Sequence, residues 1–234
     1  MKGVILAGGK GTRLRPMTGV VNKHVLPVYD EPMIFYPVRT LLQNGIDEIM
    51  IISTPVDIGR YIQLLEKEFD ADFFYRVQKE PEGIAHALSL AEDFVEDTVA
   101  VMLGDNILLD DVSSEFAAFE DSNDDGKIFL KEVSEPSRYG IAEVTDGELV
   151  QLKEKPEDPS SNYAIIGLYL YTADVFEVIP NLQKSDRGEY EITDVNTHYL
   201  GEGVLDHATV DGNWFDVGTP EGIFKASQYV RNEE

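Results

Sequence analysis

Cysteine is absent from the 234-residue chain, which excludes disulfide bonds, thiolate nucleophiles and cysteine-ligated zinc. Basic residues are also scarce, because 19 Lys and Arg stand against 44 Asp and Glu and leave a formal net charge of −25. Nucleic-acid binding and polybasic membrane anchoring both need a basic face, so we expect neither nucleic acid nor a membrane as a partner. Small molecules are the expected partners, and a homo-oligomer is compatible with the sequence.

Long apolar runs are missing near the N-terminus. The run over residues 4–7 ends at Gly8 and Gly9, which makes it far shorter than the apolar part of a secretory leader or a membrane span. Together with the lack of cysteine, this predicts a cytoplasmic protein. The chain is still 43% hydrophobic, which predicts a folded domain rather than disorder. Because salt screens the self-repulsion of so many carboxylates, we predict a halophile-like protein adapted to a salty cytoplasm.

Acidic residues are absent from the opening of the chain, where the first acid is Asp30. The same stretch contains five basic residues, namely Lys2, Lys10, Arg13, Arg15 and Lys23. A cationic segment in so acidic a chain predicts a site for a multiply charged anion.

Strand and helix patterns alternate over the first hundred residues. Short apolar, β-branched runs predict strands, and apolar residues at helical spacing predict helices between them. The predicted strands cover residues 3–7, 48–53, 73–78 and 98–103, and the predicted helices cover 33–44, 58–69 and 84–94. This alternation predicts an α/β fold, Rossmann-like, with a mostly parallel sheet, helices on both faces and ligands beyond the carboxyl ends of the strands.

The pattern changes after Asp105, and strands then dominate. We predict strands at 127–133, 140–144, 149–153 and 163–171, followed by helices at 174–179, 192–200 and 220–230. These strands predict an antiparallel β extension of the same sheet. Because neither an internal repeat nor a low-complexity linker is visible, we expect a single domain over residues 1–234.

A glycine-rich loop over residues 6–14, with the sequence Leu-Ala-Gly-Gly-Lys-Gly-Thr-Arg-Leu, follows the first predicted strand. Glycines allow backbone amides to approach phosphate oxygens, while Lys10 and Arg13 supply positive charge. The loop fits neither the Walker pattern nor the dinucleotide fingerprint. A purely structural turn would explain the glycines but not the cationic, acid-free surroundings, so we predict a phosphate site.

Ordered segments of the whole chain resemble the sugar-1-phosphate nucleotidyltransferases, and among these the glucose-1-phosphate thymidylyltransferases most closely. After the glycine loop, the similar segments cover residues 22–23, 26–30, 32–37, 51–55, 78–87, 103–106, 138–140, 154–156, 162–164, Gly188 with 191–196, and 214–219. The resemblance implies a nucleotide-binding α/β core over residues 1–110 and a sugar-binding, metal-completing half over 111–234. Long family members continue beyond the helix at Pro220 with segments that help form a regulatory site. We therefore expect a short form without that site.

The resemblance also implies a reaction. A phosphate oxygen of glucose 1-phosphate would attack the α-phosphorus of dTTP, giving dTDP-glucose and pyrophosphate. Such chemistry requires in-line positioning and charge neutralisation, for which Mg²⁺ held by Asp105 and Asp216 is the implied cofactor. The nearest alternative is the same reaction with UTP, since uracil differs from thymine by one methyl group. An alternative of another class is a non-catalytic sugar-nucleotide sensor.

Site roles follow from the matching family positions. Arg13 would hold the leaving pyrophosphate, Lys23 a nucleotide phosphate and Lys155 the sugar-linked phosphate, while Glu154 would accept hydrogen bonds from sugar hydroxyls. The alternative for Glu154 and Lys155 is an exposed ion pair. The implied nucleotide-binding residues are Leu6, Gly8, Gly9, Gly11, Thr12, Arg13, Gln78 and Gly83, and the implied sugar-phosphate residues are Gly140, Glu154, Lys155, Ile165 and Tyr169.

Two departures from the family pattern leave nucleotide preference open. His24 stands where thymidylyltransferases commonly carry Gln, and Ile166 stands where Thr is usual. His24 would either touch phosphate or be a buried structural residue. The other histidines, His86, His198 and His207, have no metal-ligand spacing, so we expect them to be structural.

Overall fold

The computed structural model describes residues 1–233. Its strands are β1 (Lys2–Leu6), β2 (Pro27–Val28), β3 (Glu31–Pro32), β4 (Glu48–Ser53), β5 (Asp72–Val77), β6 (Thr98–Leu103), β7 (Asn106–Leu108), β8 (Gly126–Glu132), β9 (Gly140–Thr145), β10 (Glu148–Glu154), β11 (Tyr163–Thr172), β12 (Leu205–Thr209) and β13 (Trp214–Asp216). The α-helices are α1 (Phe35–Gln43), α2 (Ile58–Glu68), α3 (Ile84–Ser89), α4 (Ser113–Glu120), α5 (Val175–Val178), α6 (Ile192–Glu202) and α7 (Pro220–Glu233).

Four parallel strands, in the order β5-β4-β1-β6, form the centre of the sheet. Successive side chains point to opposite faces: Val4 and Leu6 join one apolar cluster, while Ile5 and Ala7 join the other. Both faces of β1, β4 and β6 are therefore buried, which explains why these three strands are mostly apolar, whereas the edge strand β5 is partly exposed and carries Asp72 and Arg76.

Helices cover both faces of this sheet. Apolar residues of α1, α2 and α4 pack into one cluster, and those of α3, α5 and α6 pack into the other. In α2, for example, Tyr61 and Leu65 are four residues apart, so they share the buried face of the helix. The predicted α/β class with helices on both faces is confirmed.

Strands from the second half extend the same sheet. β11 runs antiparallel to β6 and also pairs antiparallel with β8 and β9, while β10 pairs with β9 and β12 lies parallel to β8. The predicted antiparallel extension is therefore confirmed, and it joins the parallel core through continuous hydrogen bonding.

Several element boundaries differ from the prediction. The helix predicted over 84–94 ends at Ser89 and continues as turns, and the one predicted over 174–179 ends at Val178, where a 3-10 turn containing Pro180 follows. Among the α-helices and the strands of three or more residues, four have no sequence prediction, namely α4, β7, β12 and β13. Among the described residues, no helix has the length and apolar character needed to cross a membrane.

Candidate functional site

Two adjoining cavities open at the carboxyl ends of the parallel strands. The loop cavity, of about 350 Å³, lies against the glycine-rich loop and is also lined by Gln78 and Gly83. The wide cavity, of about 520 Å³, lies between the parallel core and the antiparallel extension and is lined by Glu154 and Lys155 among others. Both cavities are lined by Arg13, Ile84, Leu103, Asp105 and Glu189. Ligands in the two cavities would therefore meet at Arg13 and Asp105.

The glycine-rich loop shapes the loop cavity. A Cβ atom at Gly9 would lie 3.1 Å from Lys23 Nζ, so the missing side chain lets the Lys23 ammonium lie close over the loop backbone. Gly11 has φ +59°, a conformation that favours glycine, and its carbonyl accepts a 2.6 Å hydrogen bond from Thr18 Oγ1. Gly11 lines neither cavity, so in this structure it shapes the backbone of the loop and does not form part of a cavity wall.

Only part of the cationic opening segment reaches the cavities. Arg13 and Lys23 line them, whereas Lys2 pairs with Glu48 at the opposite end of the strands. Lys10 and Arg15 are exposed and line neither cavity. The structure therefore does not place Lys10 at either cavity, and its expected contribution of charge to the loop site stays a prediction.

Asp105 and Asp216 are brought together by a two-stranded ladder. β7 begins directly after Asp105, β13 ends at Asp216, and the two strands pair antiparallel with Asp216 opposite Asn106. The Val217 amide also donates to the Asp105 carbonyl at 3.0 Å. A Cβ atom at Gly218 would lie 2.9 Å from Asp216 Oδ1 and 3.1 Å from Asp105 Oδ2, so both carboxylates face the same small space.

This space fits a divalent cation. Magnesium in phosphate-transfer sites takes one or two carboxylates and completes its shell with water and substrate phosphate oxygens. No group of three or more His, Asp or Glu residues suited to a metal occurs in residues 1–233, so the two aspartates are the donor set that this site offers. Gly218 leaves the space free, and Arg13 Nη2 lies 2.9 Å from where its Cβ would be.

Each aspartate has a cationic partner in the structure. Lys23 Nζ donates to Asp105 Oδ2, and Arg138 Nη2 donates to Asp216 Oδ2 at 3.2 Å. Burial alone would raise the pKa of Asp105, but the nearby Lys23 ammonium outweighs it and holds that pKa well below its ordinary value. Asp105 is therefore an anion at neutral pH, which is the form that can bind a cation.

Tyr139 lies beside Asp216. Burial, followed by the Asp216 charge, raises the pKa of Tyr139 to about 12.

Glu154 and Lys155 lie together on the wall of the wide cavity. Lys155 Nζ donates to Glu154 Oε1 at 2.8 Å, and Thr193 Oγ1 donates to Glu154 Oε2 at 2.6 Å. Lys155 has φ 40°, which is strained for a residue with a side chain, and such strain is concentrated at functional sites. A Cβ atom at Gly140 would lie 3.2 Å from Glu154 Oε2, so the glycine lets the backbone approach that carboxylate closely.

The floor of the wide cavity is formed by β11. Ile165 and Tyr169 line it and are only 7% and 3% exposed. Burial, assisted by the Glu154 and Asp105 charges, raises the pKa of Tyr169, so its hydroxyl remains a proton donor.

Gln78 and Gly83 lie at the far end of the loop cavity. Gln78 follows β5 directly and is 7% exposed. At Gly83, φ is +110° and a Cβ atom would lie 2.4 Å from the Tyr190 carbonyl oxygen, so no other residue fits there. The same cavity is also lined by the apolar residues Leu6, Ile84 and Ala87.

Four further side chains of the wide cavity were missed by the sequence analysis. Arg187 donates to Glu154 at 3.2 Å and to Glu191 at 2.8 Å, and the others are Arg138, Tyr139 and Thr193. Arg138, Tyr139 and Thr193 lie within segments already matched to the family, and Arg187 directly precedes Gly188. Their position within or next to those segments was the sequence feature that could have marked them as site residues.

The histidines differ from one another. His24 is 1% exposed, and its Nδ1 lies 2.7 Å from Asn22 Oδ1 and 3.3 Å from Tyr61 Oη. His24 lines the loop cavity, but its Nδ1 is engaged by protein groups, which favours the structural interpretation over a phosphate contact. His198 is exposed and His207 lies on β12, both away from the cavities, whereas His86 contacts Gln78.

Comparison with known proteins gives concordant matches over the whole chain. The family model described as nucleotidyl transferase matches residues 2–233. A glucose-1-phosphate thymidylyltransferase of Mycolicibacterium smegmatis is 44% identical over 241 aligned residues, which cover 100% of this chain and 83% of that relative.

Solved structures agree with this match. A Bacillus anthracis protein assigned as a glucose-1-phosphate thymidylyltransferase, crystallised with a sucrose, has a TM-score of 0.94 at 44% identity, covering 99% of this chain and 96% of that one. A UDP-glucose pyrophosphorylase complexed with UDP-glucose has a TM-score of 0.87 at 25% identity, covering 100% and 99% of the two chains.

Proposed function

Because the chain belongs to the nucleotidyl transferase family, we propose that it transfers the thymidylyl group of dTTP to glucose 1-phosphate, giving dTDP-glucose and pyrophosphate. The observation that carries this proposal is the meeting of two cavities at Arg13 and Asp105, one bounded by a glycine loop and the other by Glu154 and Lys155. The relatives at 44% identity are glucose-1-phosphate thymidylyltransferases, which supports the choice of both substrates.

Each of the two substrates occupies one cavity in this proposal. The nucleotide lies in the loop cavity with its base toward Gln78 and Gly83, and the loop amides and Lys23 face its phosphates. Glucose 1-phosphate lies in the wide cavity, where Glu154 accepts hydrogen bonds from sugar hydroxyls and Lys155 pairs with the phosphate. Lys155 exchanges its present bond to Glu154 for that phosphate, so the two residues then serve different parts of one ligand.

Chemistry takes place where the cavities meet. A phosphate oxygen of glucose 1-phosphate forms a bond to the α-phosphorus of dTTP while the bond from that phosphorus to the bridging oxygen of pyrophosphate breaks. Arg13 lies at this junction and neutralises the charge that accumulates on the leaving pyrophosphate. Holding both anions in line in a confined space supplies much of the rate enhancement.

We also propose that Mg²⁺ is the cofactor and that Asp105 and Asp216 hold it. When bound, the ion would draw charge from the phosphate oxygens and lower the repulsion between the two anionic substrates. Lys23 and Arg138 pair with these carboxylates in the structure, and they would be free to contact substrate oxygens where the ion takes over the carboxylates.

Two other functions are less well supported. UTP is expected to react more slowly than dTTP, because one methyl group in an apolar pocket discriminates by about 10- to 200-fold. The UDP-glucose pyrophosphorylase neighbour shares only 25% identity. A non-catalytic sensor would not need the complete set of Arg13, Lys23, Asp105, Lys155 and Asp216, all of which line the two cavities.

The cellular setting is part of the proposal. Nucleoside triphosphates and sugar phosphates are intracellular metabolites, which supports a cytoplasmic location. The net charge of −25 supports adaptation to high salt.

Isotope transfer tests the proposed reaction. The protein is mixed with glucose 1-phosphate, Mg²⁺ and dTTP that carries a label at its α-phosphorus. The label should appear in dTDP-glucose, while pyrophosphate stays unlabelled. Asp105→Asn and Asp216→Asn should each lower kcat by at least about 100-fold, given what a metal clamp contributes. Asp70→Asn, at an exposed position outside both cavities, serves as the control and should keep wild-type kcat.

Label in pyrophosphate, or the absence of a labelled sugar nucleotide, would contradict the proposed bond cleavage. Near-normal turnover by either aspartate variant would refute the assigned metal ligands while leaving the reaction itself intact.

A further inference from the structure

The Gln78 amide is held between two protein surfaces at the end of the loop cavity. Its Nε2 lies 3.2 Å from His86 Nδ1. On the other side, a Cβ atom at Gly8 would lie 2.8 Å from Gln78 Oε1, so the amide oxygen lies beside the glycine loop, in the space that the missing side chain of Gly8 leaves open. The side chain is 7% exposed, which leaves little freedom for it to turn over.

The contact to His86 has a direction. An amide nitrogen only donates, so His86 Nδ1 accepts the hydrogen bond and the ring proton lies on Nε2. His86 Nε2 lies 3.6 Å from Glu82 Oε2, where a carboxylate favours a proton on the facing nitrogen. Lys184 donates to the other oxygen of Glu82 and so holds that carboxylate in place. Lys184, Glu82, His86 and Gln78 therefore form one oriented chain.

An amide fixed in this direction selects among pyrimidines. One N–H of Gln78 is used by His86, which leaves the second N–H and the carbonyl oxygen for a base. Thymine and uracil present a carbonyl acceptor beside an N–H donor, which matches that pair. Cytosine presents a ring-nitrogen acceptor beside an amino donor, which would need the amide reversed.

We propose that His86 is a positioning residue for base specificity, which fixes the Gln78 amide so that the site accepts thymine or uracil and rejects cytosine. This inference rests on the proposed function, because it assumes a pyrimidine nucleotide in the loop cavity. His86 acts through Gln78 and touches no reacting atom. Its ring is also near Tyr190, with centroids 6.4 Å apart, but packing alone would affect stability and not the choice of base.

Steady-state kinetics with dTTP and CTP, each with glucose 1-phosphate, test the inference. His86→Leu removes the acceptor while keeping an apolar side chain, and should raise KM for dTTP by about tenfold with kcat within about twofold. The ratio of kcat/KM for dTTP to that for CTP should fall by about tenfold. His86→Gln restores an acceptor and should recover most of that ratio.

Two more variants sharpen the test. Glu82→Ala removes the group that orients the His86 ring from a position outside both cavities, and should lower the dTTP to CTP ratio by about two- to threefold. His198→Leu, at an exposed histidine away from both cavities, should leave the ratio and both kinetic constants unchanged.

The outcomes separate the two proposals. A wild-type protein that does not use dTTP overturns the proposed function and this inference with it. A wild-type protein that uses dTTP, with the same base ratio in His86→Leu and Glu82→Ala, overturns the inference alone. Equal losses with dTTP and CTP in those variants would likewise refute it, since a purely structural role predicts that result.

Discussion

His24 shows at the scale of one residue how closely the loop cavity is supported from behind. Its ring is buried between Asn22, Tyr61 and Gly104. A Cβ atom added at Gly104 would lie 2.8 Å from the His24 ring carbon Cδ2. Burial, assisted by the Lys23 charge, lowers the pKa of His24 to about 3. The imidazole is therefore neutral wherever the protein is folded at ordinary pH, and it supports the loop without competing for phosphate.

This lowered pKa predicts acid sensitivity. The unfolded chain takes up a proton near pH 6.5, whereas the native state does so only near pH 3, so stability is lost as the pH falls below about 6.5. Between pH 7.5 and 5.5, urea unfolding should show that the wild type loses about 1.4 kcal/mol more than His24→Gln. Equal losses in the two proteins would show that His24 is not buried in its neutral form.

Site residues were predicted from the sequence where they belong to a short sequence motif with a known chemical role. The implied site residues number sixteen, namely the thirteen nucleotide- and sugar-phosphate-binding residues with Lys23, Asp105 and Asp216, and all except Gly11 line one of the two cavities. Arg187 could not be predicted, because nothing in its neighbouring residues shows that a loop brings it to Glu154. The contact between His86 and Gln78 was also not expected, since the two residues lie on opposite sides of the loop between β5 and α3 and only the tertiary structure brings their side chains together.

At the scale of elements, the parallel core was predictable and the ladder at the site was not. Strands such as Glu48–Ser53 and Thr98–Leu103 are continuous apolar runs, so their bounds follow from composition. β7 and β13 have three residues each, too few for any period to show. Their stability comes from tertiary contacts, above all from Asn106, whose Oδ1 accepts hydrogen bonds from Trp214 Nε1 at 2.7 Å and Gly167 N at 3.0 Å.

Asn106→Ala should therefore cost more than an ordinary polar substitution. The change leaves two donors without their acceptor, and we expect the free energy of unfolding to fall by at least about 2 kcal/mol. We also expect kcat to fall, because Asp216 lies at the paired position on β13. Chemical denaturation and turnover measure the two effects. Asn181→Ala, at an exposed site, should cost under about 0.5 kcal/mol, and a similar cost for Asn106→Ala would refute the proposed role of the ladder.

Across the whole molecule, basic residues are enriched at the candidate site, while most acidic residues lie outside it. The two cavities gather Arg13, Lys23, Arg138, Lys155 and Arg187, of which the last four pair with carboxylates, whereas most of the 44 acidic residues lie elsewhere. The acidic surface does not participate in the proposed chemistry. It bears instead on how the fold responds to ionic strength.

Salt should therefore stabilise the protein. Raising KCl from 0.1 M to 1 M shortens the Debye length from about 10 Å to about 3 Å and screens the repulsion among surface carboxylates. We expect the Tm to rise by at least about 5 °C, as measured by thermal melting, with an equal osmolarity of sucrose as the control for solvent exclusion. A Tm that is unchanged by KCl, or that rises equally in sucrose, would contradict adaptation to salt.

The proposed reaction is tested most directly by pyrophosphate release across a grid of substrates. The grid pairs dTTP, UTP, CTP, ATP and GTP with the 1-phosphates of glucose, galactose, mannose and N-acetylglucosamine, in the presence of Mg²⁺. The highest kcat/KM should belong to dTTP with glucose 1-phosphate, with UTP lower by about 10- to 200-fold. A higher kcat/KM for any other pair, or no pyrophosphate from dTTP and glucose 1-phosphate, would contradict it.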